Sequence, residues 1–291
     1  MRRSAGYSAE ECESLFTAAV SDCDVKREGI VAQRTKTYKC GAEFLEVETY
    51  PVYGRAMASI ARERMRCSRE AQVRVNLRRS KDRLIRLANT NFGSGDMMIT
   101  CTAFEAESEK AAQADVKNYI ARLRYAFRKE GRELKYLYAL EWTENEKYGR
   151  RYHVHILVNG HGMDRDRLEA MWKKSKCNTR RYQYDESGFA GLAAYLKIDK
   201  EKNAQTDKGK AGRRVWNASR NLTEPAETVS DHRLSRHKAE RIATGLEIEA
   251  REILEKAYPD YRVVGEIRAR RSDWVSGVYC YARMRRKDTI R

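Results

Sequence analysis

Tyr152-His153-Val154-His155-Ile156-Leu157-Val158 sets two histidines either side of one apolar residue and follows them with an apolar run. Side chains two apart on a strand share a face. His153 and His155 therefore project together, while Val154 and Ile156 pack the other way. Imidazole is the commonest metal-ligating side chain. The 291 residues hold only five histidines, and two of them stand here. The preceding apolar segment, 134–142, is joined to this one by the polar stretch 143–150, which reads as a β-hairpin with a longer loop. Glu141 falls near the hairpin end, roughly opposite the histidines. It completes a set of two histidines and one carboxylate with open positions for water or substrate. Glu144 and Glu146 compete for that place. The plainer reading is a pair of partly buried sheet histidines with no metal, because three-residue motifs recur by chance.

Working outward, Met97 to Phe104 reads as a strand. A helix follows at 109–130, with Val116, Ile120, Leu123 and Phe127 on one face, and Gly131 ends it. The hairpin strands come next, at 134–142 and 151–158. A second helix at 164–174 turns Leu168, Met171 and Trp172 inward, and 180–184 is a short strand. The order β-α-β-β-α-β predicts an α+β fold with a ferredoxin-like, RRM-like antiparallel sheet and helices on one face. The histidines then lie on a central strand, and the other face is open for a site or a nucleic acid. Residues 187–200 read as a further helix capped by Ser187. Small residues at 190, 191, 193 and 194 let it approach the sheet. Tyr195 emerges from it, followed by Lys197 and Lys200. A tyrosine across a metal-bearing sheet is a candidate nucleophile, although most of the chain's seventeen tyrosines must be structural.

The core at 96–222 is flanked on both sides. Residues 1–95 read as a basic, partly helical flank. It has a short helix from Ser8 to about Val20 and strand-like stretches within 35–53, which Pro51 and Gly54 interrupt. The basic helix at 68–88, capped by Ser68, carries a stripe of Val73, Leu77, Leu84 and Leu87. Arg74, Arg78, Arg79, Arg83 and Arg86 crowd the rest, as phosphate contacts or as a solvated basic face. Lys208, Lys210, Arg213 and Arg214 mark a polar loop beside bound DNA, or an ordinary surface linker. Trp216 opens a short strand. Residues 223–291 read as an extension packed on the core, with a helix at 231–257 and a hairpin at 261–268 and 276–283.

Composition narrows the classes. Fifty-nine Lys and Arg against forty-two Asp and Glu give a formal charge of +17, which suggests a polyanionic partner, nucleic acid by default. No apolar run is long enough for a transmembrane helix. The first residues lead into acidic ones, so no secretory leader and no membrane partner are expected. Seven scattered cysteines without a C-x-x-C pair read as reduced thiols of a cytoplasmic protein. There is no G-x-x-x-x-G-K-[ST] segment, so no ATPase or helicase domain is expected.

Taken in order, these segments resemble the HUH endonucleases, in particular the rolling-circle replication initiators of bacterial plasmids and phages. The strand ending Ile99-Thr100-Cys101-Thr102 resembles the first motif of that family. His153-Val154-His155 resembles its histidine–hydrophobe–histidine motif, and Tyr195 with its following lysines resembles its tyrosine motif. Three further segments resemble stretches in Gram-positive members: Arg78 to Phe92, Gly212 to Leu222 and Tyr279 to Met284. One position departs from the pattern: the family's lysine three residues after the tyrosine is Ile198 here. Lys197 is the first choice for its role and Lys200 the second.

The resemblance implies Mg²⁺ or Mn²⁺ held by His153, His155 and Glu141. It implies that Tyr195 attacks single-stranded origin DNA, giving a 5′-phosphotyrosine and a 3′-hydroxyl for a host polymerase, with a host helicase or supercoiling to unwind the duplex. It leaves the oligomeric state open. A transposase or conjugative relaxase would use the same groups. A non-catalytic RRM-like nucleic-acid-binding protein is the alternative from another class. That alternative expects exposed aromatics on the central strands, where this chain has histidines.

Overall fold

The structure, a computed structural model, describes residues 30–54, 69–145, 149–183, 185–192, 215–271 and 277–287. In chain order the elements are β1 (Ile30–Cys40), β2 (Phe44–Tyr53), α1 (Arg69–Asn91), β3 (Met97–Phe104), α2 (Glu109–Lys129), β4 (Tyr136–Asn145) and β5 (Gly149–Val158). They continue with α3 (Arg165–Ala170), β6 (Cys177–Arg181), β7 (Asn217–Ala218), β8 (Ala226–Ser230), α4 (Arg236–Thr244), α5 (Glu247–Ala257), β9 (Tyr261–Arg271) and β10 (Val278–Arg286). Among the described residues no helix is long and apolar enough to cross a membrane. The chain divides into two compact units. One takes the residues up to Arg86, Glu186–Gly188 and Pro225 onward; the other takes Leu87–Asp185 and Phe189–Glu224.

The second unit carries the histidines. Its five strands run in the order β6-β3-β5-β4-β7, every neighbouring pair antiparallel. The crossover β3-α2-β4 leaves a gap that β5 fills, which is the split βαβ arrangement. The α+β reading therefore holds, with β5 as the middle strand. Val154 and Ile156 join Met97, Ile99, Cys101 and the α2 residues Val116, Ile120, Leu123 and Phe127 in one core cluster. Burying side chains of this size contributes roughly 1.5–3 kcal/mol each. Ser108 caps the start of α2 by accepting the Ala111 N–H. At its end Gly131 takes φ +68. The Gly131 N–H meets the Arg128 carbonyl and the Arg132 N–H meets the Phe127 carbonyl, a Schellman closure.

Several boundaries differ from the expectation. The second helix is shorter: α3 ends at Ala170, and Trp172 instead packs its ring on Phe104 and Tyr119, with centroids 5.0 and 5.3 Å away. The fourth strand comes earlier, at Cys177–Arg181, drawn in by pairing along β3 from Met97 to Cys101. Phe189–Gly191 is a 3₁₀ turn. The remainder of the expected 187–200 helix, with Tyr195, Lys197 and Lys200, lies outside the described residues, as do Lys208, Lys210, Arg213 and Arg214. The helix expected at 8–20 and the Ser68 cap lie outside them too.

The first unit gathers both flanks into one antiparallel sheet of order β8-β1-β2-β10-β9. β2 runs through Pro51, because its pairing to β10 ends at Thr49 and no N–H is needed beyond that point. The 231–257 helix is in fact two, α4 and α5, separated at Gly245. A Cβ at Gly245 would lie 2.7 Å from the Arg241 carbonyl oxygen. Both helices pack on one sheet face through Leu234, Ile242, Ile253 and Leu254 against Leu45, Val47 and Met284.

The other face of that sheet carries an ionic cluster. Glu46 is fully buried, and its carboxylate takes Arg86 Nε at 2.6 Å and Arg283 Nη2 at 2.9 Å. Arg86 also pairs with Glu48 and lies 3.6 Å from the Tyr38 ring centroid. Burial raises the Asp82 carboxyl above its ordinary range. Arg86, read in the sequence with the basic face of its helix, is thus turned inward and not offered to phosphate.

Candidate metal centre

On a pleated strand alternate residues share a face, and the register of β3, β5 and β4 sorts that face row by row. At one end Met98, Leu157 and Leu137 are side by side and buried. The next row is Thr100, His155 and Ala139; the last holds His153 opposite Glu141. The face is therefore not open along its length, as the sequence suggests. Apolar side chains close one end, and His155 and Glu141 are each only 8% exposed. His153, at the far end, is half-buried. Directly opposed residues on an antiparallel pair have Cβ atoms about 4.5–5.5 Å apart, so His153 and Glu141 are within reach of a common ion. Glu144 pairs with Arg150 three residues further on. With unbroken register, its side chain belongs to the opposite face from the histidines. Glu146 lies outside the described residues.

Hydrogen bonds orient the rings. His155 Nδ1 lies 3.2 Å from Thr100 Oγ1, the kind of outer contact that fixes a ligating imidazole. His153 Nε2 lies 3.2 Å from Thr143 Oγ1, and its Nδ1 accepts the Ala103 N–H at 3.4 Å. With Nδ1 accepting, a neutral ring carries its proton on Nε2 and donates it to Thr143. His155 Nε2 and Glu141 Oε1 are buried atoms that take part in no hydrogen bond, although both residues make other contacts.

The Ala103 contact has a backbone origin that the sequence does not announce. β3 pairs Cys101 with Val154 and then Phe104 with Tyr152. Thr102 and Ala103 together oppose the single residue His153, which is a β-bulge. Ala103 sits at φ +54, the sole non-glycine with positive φ among the described residues. Backbone in this region is strained for an L residue and tends to cluster at functional sites.

The donor set suits a divalent ion in type: two imidazoles and a carboxylate on one face. The donors are not drawn together, however. Among the described residues no three His, Cys, Asp or Glu side chains converge as a metal site. Closure needs His153 to release Thr143 or Ala103 and turn a bare ring nitrogen toward Glu141.

Of the expected nucleic-acid residues, Arg78 and Arg79 are exposed on α1 and Arg74 is half-buried. They belong to the first compact unit and the histidines to the second.

A family model described as a replication-associated protein of the ORF2 type matches residues 96–201. The match supports a replication-initiator family and, with it, interaction with DNA. The matched stretch holds Glu141, His153, His155 and Tyr195. No curated protein and no solved structure matches the chain.

Proposed function

We propose that this protein initiates rolling-circle replication by nicking and rejoining single-stranded origin DNA through a 5′-phosphotyrosine. The observation that carries the reading is the pairing of Glu141 with His153, one row from His155, within the stretch matched by a replication-associated family. His153, His155 and Glu141 would hold Mg²⁺ or Mn²⁺, which when bound polarises a scissile phosphate and neutralises developing charge. Tyr195 supplies the nucleophile. Its oxygen forms a bond to phosphorus as the bond to the 3′-oxygen breaks, and the 3′-hydroxyl leaves as a primer for a polymerase. The phosphotyrosine conserves the bond, so the reverse step rejoins strands. Lys197, or else Lys200, lowers the tyrosine pKa or steadies the phosphate. Arg74, Arg78 and Arg79, with Lys208, Lys210, Arg213 and Arg214, neutralise phosphates along the strand. Host helicase and polymerase would act on the exposed strands.

A calorimetric Mn²⁺ titration separates this enzyme from a metal-free RRM-like binding module. One ion should bind wild-type protein, and His155→Ala should abolish uptake. Glu141→Ala should weaken uptake far more than Glu144→Ala, whose carboxylate is on the wrong face. No uptake by wild type favours the binding module, and a reversed order of the two glutamates reassigns the third ligand.

A further inference from the structure

We infer that the second unit carries another nucleic-acid contact, away from the histidine rows: a basic groove between the end of α2 and the edge strand β7 that takes a DNA sugar-phosphate backbone. This rests on the DNA-processing reading above. The groove is an open depression of about 500 Å³ lined by Arg124, Arg128, Arg132 and Glu133, and it continues along Asn221 to Arg220. Four guanidinium groups thus face a single carboxylate, and that carboxylate accepts the Asn221 amide at 3.3 Å.

Two alternative duties for these arginines are already filled. Basic side chains near a helix C-terminus often serve the last carbonyls. Here the Gly131 and Arg132 N–H groups take the carbonyls of Arg128 and Phe127. Ion pairing is the other duty, and Arg124, Arg128 and Arg220 are exposed and in no ion pair among the described residues. Arg132 differs: it donates to the Asn159 and His161 carbonyls at 2.7 Å, which anchors the groove's floor.

Arg124 and Arg128 stand one helical turn apart, about 6 Å along the axis, and Arg220 comes from the facing edge. An elongated polyanion meets all three, whereas a compact anion meets one or two. The arginine fork suits phosphate oxygens in pairs. The location also separates this contact from the chemistry. The groove adjoins Tyr136 at the start of β4, whereas Glu141 lies five residues along the strand.

The test is fluorescence anisotropy with one random-sequence oligonucleotide, as single strand and as duplex, across a salt series. The full chain is compared with the triple variant Arg124→Gln, Arg128→Gln, Arg220→Gln. A control of equal charge loss carries Lys117→Gln, Arg165→Gln and Lys173→Gln, exposed positions elsewhere on the same unit. The groove variant should bind more weakly. Its log–log salt slope should flatten by about 0.7 per lost contact on single strands, or about 0.9 on duplex, and the strand form that loses more identifies the occupant. The control should keep the wild-type slope. Equal losses in both variants, or no loss in either, overturn the groove and leave the proposed function standing. Wild-type protein that binds neither form overturns the function and the groove with it. Should the triple variant not fold by circular dichroism, Arg220→Gln alone is read against Lys173→Gln in the same way.

Discussion

His153 faces two residues of β3 where an unbroken ladder would offer one. The bulge at Thr102 and Ala103 aims a backbone N–H at the ring, and the cost is a left-handed conformation at Ala103. That conformation disfavours an L residue by roughly 1–2 kcal/mol relative to glycine. Glycine returns much of the gain as unfolded-state entropy, about 0.5–1 kcal/mol. Ala103→Gly should therefore shift the unfolding free energy by less than about 1 kcal/mol. Ala103→Val should lose about 1–3 kcal/mol, although the position is exposed, because the branched side chain makes the same φ an outlier. Chemical denaturation of the two variants checks this. Valine tolerated as well as glycine would show that the bulge relaxes and does not hold His153. The histidine pair and Glu141 are legible in the sequence, since alternation on two strands joined by one loop fixes which side chains are neighbours. Ala103 is not. Nothing in Thr100-Cys101-Thr102-Ala103-Phe104 marks an extra residue, and the bulge exists only relative to β5.

Elements formed from neighbouring sequence are legible, and those formed from distant sequence are not. The βαββαβ order of the second unit follows from apolar periodicities, since every strand pair except β4–β7 lies within the matched stretch. The other sheet joins Thr49 to Cys280 and Thr35 to Ser230, and no local pattern predicts partners so far apart. Glu46 misleads in the same way. A charged residue in mid-strand reads as surface, and Arg86 reads as part of a basic helix face, yet the two meet in a buried cluster. Removing one member of a buried ion pair leaves the other charge stranded, typically at about 3–5 kcal/mol. Glu46→Ala should thus destabilise the first unit by roughly 3–5 kcal/mol, read as a lower denaturant midpoint. Adding Arg86→Met and Arg283→Met to Glu46→Ala should recover much of that loss, because no unpaired charge remains buried. Failure of the triple variant to recover would mean that the arginines hold the sheet through packing, and not through charge.

For the molecule as a whole, the formal charge of +17, the match to a replication-associated family and the row of Glu141, His153 and His155 support one activity: a tyrosine that becomes joined to DNA. The direct measurement is to incubate wild-type protein with Mg²⁺ or Mn²⁺ and a single strand from its own origin, boil in detergent, and run a denaturing gel. Wild type should give a protein–DNA adduct that survives boiling, and peptide mapping should place the nucleotide on Tyr195. Tyr195→Phe keeps the ring and loses the attacking oxygen, so it should bind the strand and give no adduct. Tyr182→Phe should still give one, since that ring stacks on Phe189 with centroids 4.8 Å apart and serves packing. An adduct on another tyrosine would contradict the assignment of the nucleophile, and no adduct from wild type would contradict the endonuclease itself.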